Sequence, residues 1–202
     1  MFDERLRGVK ERIFVEAARW GFAGWHPHAL TLAALLLGAA TAVALAFQFY
    51  LPAFLLWWLN RIFDGLDGTV ARLRRRQSDL GGYLDILSDF GVYALVPLGL
   101  IAGRPSLPAA LSVAVLLATF YLNAASWIYL SAILEKRRRE APAGQFTTIA
   151  MPAGLIGGFE TMIFYALFIL LPQWMTWLFA AMSALVLVTI MQRLIWAVRH
   201  LK

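Results

Sequence analysis

The sequence predicts an all-α integral membrane protein in which six transmembrane helices follow an N-terminal interfacial amphipathic helix. Its composition is 61% hydrophobic and only 15% charged, whereas soluble domains are about 45–50% apolar and about 25% charged. The 202 residues also contain six apolar runs of roughly 20 residues, the length that a helix needs to cross a bilayer. The chain has no cysteine, which excludes disulfides, thiolate metal sites and a catalytic thiol.

The first 25 residues differ in pattern from the rest of the chain. Apolar residues from Leu6 to Trp20 recur at helical spacing, and basic side chains surround them. This pattern is typical of a helix that lies in the membrane interface with its cations among anionic headgroups; a solvated basic tail is the alternative. We therefore expect an interfacial juxtamembrane helix over 1–25 and a six-span membrane domain over 26–202.

Proline, glycine and charged residues separate the apolar runs. Pro27 precedes the first run, Gly81 and Gly82 open the third, and Pro172 stands between the fifth and the sixth. Such residues favour turns and helix starts over helix interiors. The predicted spans are 29–47, 50–72, 81–102, 107–134, 149–171 and 174–198.

The basic residues predict the orientation of the spans. Of the 18 Lys and Arg residues, 15 fall at span ends that share one side of the membrane, whereas Arg104 falls on the other and Arg61 and Arg193 lie inside spans. Cytoplasmic loops carry such an excess, so both termini should be cytoplasmic. A net charge of +6 could suit a nucleic-acid-binding protein. The basic residues cluster between apolar runs, however, which indicates topology signals instead. Four tryptophans should form an aromatic belt at the opposite face: Trp57, Trp58, Trp174 and Trp177.

Four aspartates stand inside predicted spans. Asp64 and Asp67 are three apart near the cytoplasmic end of the second span, and Asp85 and Asp89 are four apart near the start of the third. These spacings put each pair on one helix face. The short loop between the spans makes them antiparallel neighbours, so the four carboxylates should converge just below the cytoplasmic surface.

Such a cluster needs cations. One Asp at a span centre costs roughly 2.5–3.5 kcal/mol on insertion scales, and mutual repulsion adds to that cost. Hard divalent ions bind carboxylate oxygens, and two ions about 3.5–4 Å apart form a clamp for phosphate displacement. The alternatives are a proton relay or structural ion pairs with Arg61 and Arg72.

Two glycines and one arginine accompany the aspartates. Gly68 lies four residues after Asp64, and Gly81 lies four before Asp85. The missing side chains leave room for a ligand near the backbone, although close helix packing is also common for glycine in membranes. Arg72 lies one turn beyond Gly68 and is suited to a bidentate contact with phosphate.

Together these residues resemble the complete motif of the CDP-alcohol phosphotransferases. The motif reads Asp64-x-x-Asp67-Gly68-x-x-Ala71-Arg72, eight residues, then Gly81-x-x-x-Asp85-x-x-x-Asp89. The length, the six spans and the interfacial helix are also similar to that family, and the stretch from Asn60 to Gly99 looks most like a bacterial branch. The segment from His26 to Thr31 resembles the Pro-Asn-x-Leu-Thr that often opens the family's first span, with His28 in place of Asn.

The resemblance implies an enzyme of phospholipid biosynthesis. It would transfer a phosphatidyl-type group from a CDP-linked lipid, CDP-diacylglycerol, to a small alcohol acceptor and release CMP. It further implies a homodimer in the bacterial inner membrane with a cytoplasmic active site. Two Mg²⁺ or Mn²⁺ ions would be held by Asp64, Asp67, Asp85 and Asp89. Asp89 would also be the catalytic base, and the CMP moiety would be lined by Gly68, Arg72 and Gly81.

Two other classes remain as alternatives. A membrane prenyltransferase also uses Asp-rich helices and Mg²⁺ on a diphosphate, but it usually has more spans and two separated motifs. An ion-coupled transporter with an acidic intramembrane site would show inverted repeats or paired discontinuous helices, and the sequence shows neither. CMP release that depends on a divalent ion would distinguish the three classes.

The acceptor is less defined by the sequence. Branches that use glycerol phosphate or inositol phosphate commonly have a basic residue after the last Asp, where this chain has Phe90; Pro97 resembles the serine-using branch. A phosphate-bearing acceptor would need Arg193 or the basic run 136–139. Glu160 in the fifth span could be functional or could pair with Arg193. We favour an uncharged or zwitterionic acceptor because Phe90 is apolar.

Overall fold

The computed structural model of this chain describes residues 14–18, 21–22, 24–140 and 154–201. All regular structure in these ranges is helical, which confirms the all-α prediction for them. The helices are α1 (Pro27–Ala46), α2 (Tyr50–Leu73), α3 (Asp79–Gly103), α4 (Leu107–Glu140), α5 (Gly158–Leu170), a 3-10 turn (Pro172–Trp174) and α6 (Met175–His200).

Four helical stretches are long and apolar enough to cross a membrane: α1, α3, α4, and α6 with the 3-10 turn before it. The predicted second span, α2, has 24 residues but carries the charged residues of the motif. The predicted fifth, α5, has 13 residues, which is short against a hydrocarbon core of about 30 Å. These helices are consistent with the predicted integral membrane fold, and the count of six spans stays a prediction.

Capping explains where α1 and α3 begin. Pro27 occupies the first turn of α1, where its missing N–H costs nothing. Ser78 caps α3, because its hydroxyl accepts the backbone N–H of Gly81 at 3.1 Å. Both starts lie two residues before the predicted ones.

Two helix ends differ more from the prediction. Helix α4 continues to Glu140 instead of ending near 134, because Glu135–Arg139 (2.9 Å) and Lys136–Glu140 (3.7 Å) form ion pairs one turn apart. Helix α5 begins at Gly158, and residues 154–157 before it are not helical. The predicted start at 149 is wrong for those four residues, and 149–153 lie outside the described ranges.

The chain divides into two compact units, Met1–Arg104 and Pro105–Lys202. In the first, α1 packs against both α2 and α3. Two glycines permit the close contact of α1 with α3: a Cβ on Gly38 would overlap the Val92 side chain, and one on Gly99 would overlap the Ala42 backbone. This three-helix unit contains every residue of the Asp/Gly motif.

In the N-terminal region, residues 14–18 form a short helical stretch. Ala18 is buried with Leu30, Leu66 and Val70, and Phe14 packs against this cluster. The stretch therefore contacts the helices of the motif. The rest of the predicted interfacial helix lies largely outside the described residues, so its place in the membrane interface, and a boundary at 25, stay predictions.

The prediction of an aromatic belt is wrong for one of its four tryptophans. Trp57 is only 1% exposed, and its ring lies 5.4 Å from that of Trp58. It belongs to the interior because it lies on the buried face of α2. Trp58, Trp174 and Trp177 are exposed as expected.

In the second unit, α4 and α5 each pack against α6. Arg193 is buried and donates to the backbone carbonyl (3.2 Å) and side-chain oxygen (3.0 Å) of Asn123. Glu160 instead accepts the N–H of Gly157 at 2.9 Å as a cap of α5. Among the described residues no ion pair joins Glu160 to Arg193, so the suggested pairing is wrong for this structure. Arg137 donates to the carbonyls of His200 (3.0 Å) and Leu201 (2.8 Å).

Candidate active site

A cavity of about 190 Å³ opens within the first unit, where α1, α2 and the start of α3 meet. Its wall includes all three residues predicted to line a CMP moiety and two of the four aspartates. These residues are Gly68, Arg72, Gly81, Asp67 and Asp85. The fold therefore brings the two halves of the motif together at one concave surface, as the spacing predicted.

Asp67 is fixed from two sides. The Thr31 hydroxyl on α1 donates to Asp67 Oδ2 at 2.5 Å, and the Gly68 N–H donates to Oδ1 at 2.5 Å. Thr31 and Asp67 are each 6% exposed, so little water competes for these bonds. Short bonds from hydroxyl to carboxylate are charge-assisted and about twice as strong as neutral ones. They hold the Asp67 carboxylate in one orientation at the cavity wall.

The glycines keep the cavity open beside this carboxylate. A Cβ at Gly68 would lie 3.5 Å from Arg72 Nη1, and a Cβ at Gly81 would lie 3.3 Å from His28 Cε1. Arg72 Nη2 donates to Thr69 Oγ1 at 3.2 Å, which anchors the guanidinium one turn from Gly68. A positive charge and bare backbone thus border the same space, which suits a phosphate group.

Asp64 and Asp89 lie on another side of the cluster, where they share one cation. Arg61 Nη1 is 3.0 Å from Asp89 Oδ1 and 3.6 Å from Asp64 Oδ2. The two carboxylates remain 30% and 26% exposed, whereas the Arg61 side chain is 7% exposed. Neither carboxylate is part of the described cavity wall. The ion pairs with Arg61 that the sequence left as an alternative are therefore present.

All four carboxylates are close enough to act on one another. The charge on Asp64 interacts with Asp67, Asp85 and Asp89, and Asp85 interacts with Asp67 and Asp89. Carboxylate oxygens on two facing helices are the donor chemistry that hard divalent cations require. In the described ranges, however, no three acidic or histidine side chains converge as a ready-made metal centre. Two of these carboxylates contact Arg61, and a third accepts the bonds from Thr31 and Gly68.

Sequence reasoning overlooked two contributors to this site. Thr31 was part of the resemblance but had no role, and Asn60 had none beyond standing in a span. Asn60 is 1% exposed; its amide donates to the Ala34 carbonyl at 2.7 Å and its Oδ1 accepts Arg61 Nε at 2.7 Å. A polar Asn-Arg pair in the middle of an apolar run was the signal that could have revealed this contact.

A family model described as CDP-alcohol phosphatidyltransferase matches residues 25–191. The chain belongs to this family. The match includes every residue of the motif and most of both compact units. Members of the family are transferases, and this confirms the resemblance drawn from the aspartates and glycines.

A bacterial relative covers most of the chain. The inner membrane protein YnjF of Escherichia coli strain K12 is 36% identical over 174 residues, which are 86% of this chain and 83% of YnjF. Together with the apolar helices, this similarity supports an integral protein of the inner membrane. A bifunctional IPC transferase and DIPP synthase of Archaeoglobus fulgidus is 39% identical over only 64 residues, 32% of this chain and 13% of that protein.

The fold is shared with a solved structure. Phosphatidylinositol phosphate synthase (PgsA1) of Mycobacterium tuberculosis, with CDP-DAG bound, matches with a TM-score of 0.69 at 18% identity, over 92% of each chain. The same synthase in complex with manganese and citrate matches with a TM-score of 0.68 at 19% identity, over 92% of this chain and 87% of that one. At this identity the match establishes the fold of the chain.

Proposed function

We propose that this protein transfers the phosphatidyl group of CDP-diacylglycerol to a small alcohol and releases CMP, as a step of phospholipid biosynthesis. The observation that carries the proposal is the single cavity that joins Gly68, Arg72 and Gly81 to the carboxylates of Asp67 and Asp85. An anionic diphosphate needs a cation and bare backbone beside it, and this wall offers both. Membership of the family and the CDP-DAG bound in the related synthase support the choice of donor.

The four aspartates would hold two divalent ions, Mg²⁺ or Mn²⁺. When bound, such ions neutralise a diphosphate and stabilise the negative charge that develops on its leaving group. The manganese complex of the related synthase supports this assignment. The residues we assign as ligands are Asp64, Asp67, Asp85 and Asp89.

The chain's own residues orient the reactants. Gly68 and Gly81 border the CMP moiety, and Arg72 contacts a phosphate oxygen. Asp89 accepts the proton of the acceptor hydroxyl; its carboxylate is 30% exposed and can therefore be reached. A carboxylate that takes this proton makes the hydroxyl oxygen a better nucleophile toward phosphorus.

An uncharged or zwitterionic acceptor fits the chain best. Phe90, which follows Asp89, supplies no cation, and the basic run is engaged locally: Arg139 pairs with Glu135 at 2.9 Å, and Arg137 binds backbone carbonyls near the end of α6. These contacts stabilise helix ends and leave fewer cations to bind an acceptor phosphate.

The test is CMP release by the purified protein from CDP-diacylglycerol, with Mg²⁺ and a panel of acceptors. The panel contains serine, glycerol 3-phosphate, inositol, inositol phosphate, phosphatidylglycerol and choline. We expect release with an uncharged or zwitterionic acceptor and none after chelation of the metal. Release with glycerol 3-phosphate or inositol phosphate alone would contradict the acceptor preference. If no acceptor gives CMP release, CDP-diacylglycerol is not the donor. Turnover of a prenyl diphosphate would then favour a prenyltransferase, and ion transport would favour a transporter.

The assembly and orientation are also proposals. We propose a homodimer in the inner membrane, with both termini and the active site at the cytoplasmic face. The basic residues at the ends of α2 and α4 support this orientation. Cross-linking in membranes tests the homodimer, and side-specific labelling tests the orientation.

A further inference from the structure

We propose that Arg61 is a positioning residue that holds Asp64 and Asp89 in register and competes with divalent cations for them. The inference rests on the proposed function, because it concerns the same carboxylates. Arg61 lies outside the Asp/Gly motif, one helical turn before its first aspartate. Its role follows from contacts with residues of α2 and α3 and from the link that Asn60 makes to α1.

The first step is the pair of contacts that Arg61 makes. Its Nη1 is 3.0 Å from Asp89 on α3 and 3.6 Å from Asp64 on α2. A single guanidinium therefore bridges the two helices that carry the aspartates. Because its side chain is only 7% exposed, solvent screens these attractions weakly.

The second step is the rigidity of Arg61 itself. Its Nε donates to Asn60 Oδ1 at 2.7 Å, and the Asn60 amide donates to the Ala34 carbonyl of α1 at 2.7 Å. Its Nη1 also lies 3.4 Å from the Tyr93 hydroxyl, and its guanidinium carbon lies 5.5 Å from the Tyr93 ring centre. The planar guanidinium is thus fixed in orientation as well as in position.

The third step separates Arg61 from substrate binding. Arg61 is not part of the described cavity wall, whereas Arg72 is. A residue that acts through Asp64 and Asp89 should affect the rate of the chemical step more than donor affinity. The Arg61 charge also occupies carboxylate oxygens that a divalent ion would use, so its removal should strengthen metal binding even as catalysis weakens.

The experiment compares Arg61→Gln with Arg61→Lys, and uses Arg75→Gln as the matched control at an exposed position outside the cavity wall. Mn²⁺ binding is titrated by electron paramagnetic resonance without substrate, and kcat and KM are measured from CMP release per folded molecule. For Arg61→Gln we expect kcat to fall about tenfold or more, as for loss of a charge-assisted contact, with the KM for CDP-diacylglycerol within about twofold. Its Mn²⁺ dissociation constant should fall about threefold or more. Arg61→Lys should restore Mn²⁺ affinity to the wild-type value and kcat only in part, because the ammonium lacks the fork.

A purely structural arginine would behave differently. It would lower the melting temperature of Arg61→Gln but leave kcat per folded molecule and Mn²⁺ affinity equal to those of Arg75→Gln, and that result would overturn the proposal. Weaker Mn²⁺ binding by Arg61→Gln would overturn it as well. If Arg61→Gln does not insert into the membrane, Asn60→Ala replaces it in the experiment. In Asn60→Ala the Arg61 charge stays, but Arg61 loses its hydrogen bond to Asn60, so kcat should fall while Mn²⁺ affinity is unchanged. An unchanged kcat for Asn60→Ala would then contradict positioning.

The outcome for Arg61 is separable from that for the proposed function. Absence of CMP release by the wild type would contradict phosphatidyl transfer, whereas the Mn²⁺ titration would still decide whether Arg61 competes with a cation. Release by the wild type with control-like behaviour of both Arg61 variants would contradict only the positioning role.

Discussion

Replacing Thr31 with valine tests whether the bond to Asp67 orients the active carboxylate. The Thr31 hydroxyl donates to Asp67 at 2.5 Å, and both residues are 6% exposed. Loss of a hydrogen bond to a charged group costs about 1.5–3 kcal/mol, which corresponds to about 10–150-fold in rate if the freed carboxylate must regain its orientation to reach the transition state. Because the Gly68 N–H still holds the other oxygen, we expect the lower end, a fall of about tenfold in kcat.

The assay is CMP release from CDP-diacylglycerol, normalised to folded protein by size-exclusion chromatography. Thr41→Val is the matched control, because Thr41 is also buried on the same helix (0% exposed) and donates to the Leu37 carbonyl of its own helix at 2.8 Å. We expect Thr41→Val to retain activity within about twofold. An equal rate for Thr31→Val and the wild type would refute the orienting role, and an equal loss in both variants would assign the effect to packing.

Three further predictions concern the carboxylates, the helix packing and the orientation. Alanine at any one of the four aspartates should abolish CMP release without preventing membrane insertion. The variants are Asp64→Ala, Asp67→Ala, Asp85→Ala and Asp89→Ala, and near-normal turnover by one of them would remove that residue from the site. Gly99→Ala should lower the free energy of unfolding by about 1–3 kcal/mol, because the added Cβ would overlap the Ala42 backbone. Gly82→Ala is the control, because its Cβ would meet open space. Thermal unfolding in detergent compares the two variants, and equal stability would contradict the close packing of α1 against α3. Single cysteines in the otherwise cysteine-free chain should be labelled from opposite sides at Arg104 and Arg138, and labelling from one side would contradict the span count.

Spacing alone predicted much of the site. Positions three and four apart lie on one face of a helix, so the spacing predicted a shared face for each Asp pair. The meeting of Asp67 and Asp85 at one cavity also depends on α1, which packs against both α2 and α3. The glycines beside the aspartates followed from the same spacing. The starts of α1 and α3 were predictable to within two residues, because proline and capping residues act locally on the backbone.

Contacts that depend on side-chain orientation in three dimensions could not be predicted in this way. Whether Arg61 contacts Asp89 on α3 or turns elsewhere depends on which helices pack around it, and Trp57 is buried for the same reason. The suggested Glu160–Arg193 pair was wrong because the start of α5 was placed too early; as the third residue of the helix, Glu160 binds the backbone of Gly157. The misplaced helix start therefore led to an ion pair being predicted for a residue that caps the helix.

The stoichiometry of transfer tests the central claim most directly. CDP-diacylglycerol labelled in its acyl chains is incubated with the purified protein, Mg²⁺ and the acceptor panel, and CMP and new labelled phospholipid are quantified together. We predict equal amounts of CMP and new phosphodiester lipid from the wild type, and neither product from Asp89→Asn or after chelation of the metal. CMP without a new phospholipid, or equal turnover by Asp89→Asn, would contradict phosphatidyl transfer at this site.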